Sequence, residues 1–179
     1  IGLTFHQNHL QFKKIDSFRG RFDISYSSCK LLHMSILPPF ALGDGCSIAE
    51  MCELVADELE SHLLGFEHVA PVSFQYLDFK VGRKSILYLV PQFSENIVYI
   101  QEALFHVMSE NGALFKKRRK SEQYKAFLAL GRFKMESELS VGIDAAKDEF
   151  NLPLNLLVKH IMLFGRVCPG WVTEKKLFT

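Results

Sequence analysis

His33 and Ser35 are the residues whose types and spacing most suit chemistry, in the run Leu31-Leu32-His33-Met34-Ser35-Ile36-Leu37-Pro38-Pro39-Phe40. Side chains two apart share a face of an extended strand. The imidazole and the hydroxyl therefore converge on one space while Leu32, Met34 and Ile36 turn toward a core. An imidazole gains or loses a proton near neutral pH, and a hydroxyl can hold an oxygen by hydrogen bonding. Together they form half of what phosphoryl chemistry requires. Taken alone, His-x-Ser occurs often by chance, and a strand histidine bonded to backbone is its plainer reading.

The elements that must position this pair follow from periodicity. Ile1 to Phe5 reads as an opening strand, Phe22 to Tyr26 alternates as a second, and the His33 strand follows. Ser47-Ile48-Ala49-Glu50 forms a capping box, behind which Ile48, Met51, Cys52, Val55, Leu59 and Leu63 keep helical spacing. Val72 to Val81 and Ser85 to Pro91 predict a hairpin turning at Gly82-Arg83-Lys84. Ser94 caps a second helix through Ile97, Ile100, Leu104, Val107 and Met108, stopped by Asn111-Gly112. Next come a strand from Tyr124 to Phe133 and a helix carrying Leu139, Ile143, Ala146 and Phe150. Gly142 weakens that helix by about 1 kcal/mol relative to Ala. Strands over Leu156 to Phe164 and Val172 to Phe178 close the chain, with Pro169-Gly170 between them. Strand, helix, strand, strand thus occurs twice, which predicts an α+β fold of two pseudo-symmetric lobes. Each lobe is a small antiparallel sheet with helices, and the two flank a central cleft. Residues 1–179 make a single bilobal domain, with halves over about 22–91 and 124–179.

Composition limits the function classes. Of 179 residues, 48% are apolar and the formal charge is +1, enough for one substantial core and no global call for nucleic acid or an anionic membrane. No apolar run approaches the roughly 20 residues of a membrane helix. Cys29, Cys46, Cys52 and Cys168 show no CxxC pair, which favours reduced thiols over disulfides or zinc and points to a cytoplasmic location. The missing initiator Met points to a trimmed or partial chain.

A strand with His-x-Ser/Thr, a following Pro-Phe, a duplicated element order and a second strand ending in Gly-Arg together resemble the 2H phosphoesterase superfamily. That superfamily includes the RNA ligase-like cyclic phosphodiesterases. The first motif stands as His33-Met34-Ser35-Ile36 followed by Pro38-Pro39-Phe40. The family's second motif, approximately Pro-His-x-Thr-Leu-Gly-Arg, corresponds to Ala126-Phe127-Leu128-Ala129-Leu130-Gly131-Arg132. Phe127 stands in place of the second histidine and Ala129 in place of the second hydroxyl. The resemblance implies attack on a 2′,3′-cyclic phosphate or 2′,5′ linkage, with neither metal nor cofactor. One imidazole serves as base, the other as acid, and two hydroxyls hold phosphate oxygens. Losing one of the two acid–base groups costs about 10²- to 10⁴-fold in rate. The resemblance therefore implies a domain acting on or binding RNA ends or small nucleotides, with His33 and Ser35 as the surviving pair and turnover weak or absent. The alternative is a non-catalytic interaction module that keeps the fold as a scaffold.

Several other residues bear on ligand binding. Arg132 can clamp a phosphate through its planar fork, and Phe40 and Tyr124, like Phe79 and Tyr88, can stack a base. The run Lys116-Lys117-Arg118-Arg119-Lys120 can steer an RNA backbone or simply form a solvated loop. His160 is the most tempting substitute for the lost histidine, but no Ser or Thr follows two residues on. His6 and His9 have metal-compatible spacing only on a helix, and no third ligand accompanies them.

Overall fold

A computed structural model describes residues 1–28, 31–63, 71–92, 95–115, 125–167 and 170–178. In chain order the elements are β1 (Gly2–Phe5), α1 (Leu10–Phe22), a 3-10 turn (Tyr26–Ser28), β2 (His33–Ser35), β3 (Phe40–Leu42), α2 (Ile48–Leu63), β4 (Val72–Lys80) and β5 (Ser85–Gln92). They continue with α3 (Glu95–Glu110), β6 (Ala113–Phe115), β7 (Leu128–Phe133), α4 (Glu136–Glu149), β8 (Leu154–Leu156), β9 (Val158–Val167) and β10 (Gly170–Phe178). The fold is α+β, as expected. The capping box forms: the backbone N–H of Ser47 donates to Glu50 Oε2 at 3.0 Å and that of Glu50 to Ser47 Oγ at 3.1 Å. Met51, Cys52, Val55 and Leu59 are buried behind it, whereas Ile48 stays exposed.

Two four-stranded antiparallel sheets carry the molecule, in the orders β10-β9-β1-β2 and β7-β5-β4-β8, and β3 pairs with β6 in a small third sheet. Each large sheet draws strands from both the early and the late part of the chain. Each also ends on the strand that carries one of the two motif segments, β2 in one and β7 in the other. The hairpins stand differently: β4-β5 lies next to β7, whereas β1 intervenes between β2 and the β9-β10 hairpin.

Two expectations are corrected. Residues 22–26 do not form a strand, because Phe22 ends α1 and Tyr26 opens the 3-10 turn. Among the described residues, one ladder-like bond survives there, from Ile24 N–H to Arg132 O at 3.2 Å. The helix α1 packs Phe12, Ile15 and Phe18 into the core, and these residues, with Phe22, have the three-and-four spacing of a buried helical stripe. The run from Leu156 to Phe164 is two strands: β8 pairs with β4 and β9 with β1, so the chain changes sheet at the exposed Leu157. The Ser94 cap, Cys29, Cys168 and the Pro169 turn residue lie outside the described residues; Cys46 is a free thiol and Cys52 is buried.

Candidate functional site

β2 brings His33 opposite Thr4 and Ser35 opposite Gly2 of β1. Met34, between them, is fully buried with Leu32 and Ile36 on the other face, so the alternation read from sequence holds. A Cβ at Gly2 would lie 3.1 Å from the ring of Phe164. The glycine leaves Phe164 room to reach the His33 ring at 4.6 Å. Nδ1 of His33 lies 3.0 Å from the Leu31 carbonyl oxygen. A carbonyl only accepts, so Nδ1 carries the proton and Nε2 keeps its lone pair. Burial chiefly, and the nearby Arg19 and Arg132 guanidiniums, push the His33 pKa below the ordinary 6.5, against the smaller upward pull of the Leu31 bond.

Across from β2 stands β7. Phe127 and Ala129 line the same cavity, of about 100 Å³, as His33 and Ser35. The two motif segments thus face each other across one space. Arg132 joins them through a β-bulge: Tyr88 of β5 faces Ala129 while Leu87 faces Gly131, which leaves Leu130 as an extra residue. A bulge reverses the alternation beyond it, so Arg132, three positions past Ala129, returns to the cavity side. Phe127 also stacks on Tyr88 at 4.8 Å between centroids.

Arg19, which periodicity did not single out, completes the wall with Leu31 and Leu32. It comes from the last turn of α1, where Arg19 and Asp23 are both buried. Arg132 Nη1 donates to Asp23 Oδ2 at 2.8 Å, and Arg19 Nη2 stands 3.7 Å from the same oxygen. Buried charges persist only when paired, and here one carboxylate serves two guanidiniums. The signal was present as an Arg–Asp pair at helical i,i+4 spacing, legible only once residues 10–22 are recognised as a helix.

Other expected site residues do not reach this cavity. Phe40 lies in β3, stacked on Phe115 at 5.6 Å. Tyr124 and the basic run at 116–120 lie outside the described residues. His160 pairs with Thr4 on the far side of β1; it is two strands, roughly 10 Å, from His33 and is not among the cavity walls. Among the described residues, no three His, Cys, Asp or Glu side chains gather so as to hold a metal ion, and no helix is long and apolar enough to cross a membrane. No protein-family model matches the chain, and no curated protein matches it in sequence.

Proposed function

We propose that the cavity between β2 and β7 is the phosphate site of a 2H phosphoesterase-like domain that binds RNA ends or small nucleotides and turns them over weakly or not at all. Its chief support is one convergence: the His33-x-Ser35 face and the Phe127-x-Ala129 face line a single space, as the resemblance requires of the two motifs. In this reading the two large sheets, and not the sequence halves 22–91 and 124–179, flank the cleft, each contributing its edge strand. His33 offers a neutral Nε2 that can accept a proton from an attacking water, and Ser35 a hydroxyl for a phosphate oxygen. On the opposite side Phe127 and Ala129 offer neither a proton for the leaving oxygen nor a hydrogen bond. One half of the displacement is therefore served and the other is not.

The test assays hydrolysis of a 2′,3′-cyclic nucleotide and a 2′,5′-linked oligonucleotide by the native chain, His33→Ala and the double substitution Phe127→His with Ala129→Thr. The native chain should be slower than the double variant by about 10²- to 10⁴-fold, the usual contribution of one acid–base group. His33→Ala should be inactive. Absence of hydrolysis in every variant, together with absence of nucleotide binding, would favour the interaction module.

A further inference from the structure

Two guanidiniums and one carboxylate meet at the cavity. Asp23 is held from both sides: Oδ2 accepts from Arg132, and Oδ1 accepts the Ser25 N–H at 3.0 Å. Its side chain is fully inaccessible to solvent, whereas that of Arg132 is 28% exposed. Arg19 also stands 3.9 Å from Asp16, but Asp16 is not among the cavity walls and receives the Tyr26 hydroxyl at 3.0 Å. The wall itself carries two guanidiniums, Arg19 and Arg132, beside His33 and Ser35, with the carboxylates of Asp23 and Asp16 standing behind them.

We infer that this cavity recognises the terminal phosphate monoester of a nucleotide, gripped by Arg132 and Arg19 together with Ser35 and His33, in preference to a cyclic or internal phosphodiester. The inference rests on reading the cavity as a phosphate site, and it names the ligand class. Size is the first ground. The space is small, about 100 Å³, which suits a compact head group such as a phosphate. A monoester enters with carbon on one side only; a cyclic phosphate must bring its ribose in by two ester oxygens.

Charge and geometry are the second ground. A monoester carries up to two negative charges and three terminal oxygens, and a guanidinium fork matches a pair of them. Arg132 gives Asp23 its Nη1, and Arg19 lines the same wall. The third ground is the apolar pair: with Phe127 and Ala129 opposite, the wall suits holding an end product better than expelling a leaving group. At the cavity wall, the Phe127 ring, paired with Tyr88, offers a stacking surface for the base.

The test titrates the full 179-residue chain with adenosine 2′-monophosphate, adenosine 2′,3′-cyclic monophosphate and adenosine. The monophosphate should bind on the order of tenfold or more tighter than the cyclic compound, the worth of one further charge-assisted hydrogen bond, and adenosine should not bind measurably. Arg132→Gln should weaken the monophosphate by about 10- to 100-fold. Arg132→Lys keeps a cation beside Asp23, and so keeps the fold, while losing the fork; it should bind with intermediate affinity and carries the test if Arg132→Gln unfolds. Equal or tighter binding of the cyclic compound would overturn the monoester inference and leave the phosphate cleft standing. Undiminished monophosphate binding in both folded Arg132 variants would also overturn it. Binding of neither nucleotide by the folded chain would overturn both readings.

Discussion

His33 is the residue on which the proposed chemistry turns, and its surroundings set its protonation. Burial and two neighbouring arginines lower its pKa below 6.5 in the native chain, whereas the unfolded imidazole titrates near its ordinary value of about 6.5. As pH falls the unfolded chain takes up this proton first. The stability linked to His33 is therefore fully present above 6.5 and declines as pH drops from 6.5 toward the lower native value. A two-dimensional NMR titration should place the His33 midpoint below 6.5, and His33→Gln should lessen the loss of stability over that window. A midpoint at or above 6.5 would mean that the ring is not desolvated as its place beside Phe164 implies. At this scale the sequence was partly legible. Period two alone aims His33 with Ser35, and Phe127 with Ala129, whereas Arg132 reaches the wall only because Leu130 bulges. Asp23 had the look of a solvent-facing strand residue; its burial depends on an arginine 109 positions away in sequence.

Among the elements, the junction of α4 with β7 shows how packing overrides propensity. Gly142 sits mid-helix, where Ala would be favoured by about 1 kcal/mol. A Cβ at 142 would approach Phe133 ring carbons to 2.6 and 2.8 Å, and one at Gly131 would meet the same ring at 2.8 Å. Phe133 is only 2% exposed, so its ring has little space into which to retreat. Overpacking a core costs about 1–3 kcal/mol, so Gly142→Ala should give no net gain and a loss of up to about 2 kcal/mol, read from urea unfolding. Adding Phe133→Leu to Gly142→Ala should recover part of that loss. A stabilisation near 1 kcal/mol in the single variant would show that propensity alone governs the position. The helices with a sequence signature were readable: α2 has its capping box and α3 and α4 their apolar spacing. By contrast α1 begins at His9 with no side-chain cap and no acidic residue in its first turn, and its Phe-rich stripe blends into a run that also alternates. The division of residues 154–167 between two sheets has no local signal, since β8 and β9 read as one mostly apolar run and only their partners differ.

At the scale of the whole molecule, the cavity is built from segments that, among the described residues, no strand ladder joins to one another. β2 closes one sheet and β7 the other, and the end of α1 reaches β7 through the Ile24–Arg132 backbone bond and the Asp23–Arg132 ion pair. A duplicated element order hinted at such a cleft, but not that each sheet would mix strands from early and late in the chain. A ligand held by Arg19, His33, Ser35 and Arg132 would bridge α1, one sheet and the other at once, so its binding energy should appear as global stability. For one site, ligand at a hundredfold excess over Kd adds about 2.7 kcal/mol. In a chain of this size each kcal/mol moves the unfolding midpoint by roughly 2–4 °C. Adenosine 2′-monophosphate at that excess should therefore raise the midpoint by about 5–11 °C. The accompanying slowing of amide hydrogen exchange should concentrate in β2, in β7 and at residues 23–24. A midpoint shift without added protection in β2 and β7 would place the ligand elsewhere on the molecule. Protection confined to those two edge strands and the end of α1 would mean that the bound phosphate is the piece that ties the two sheets together.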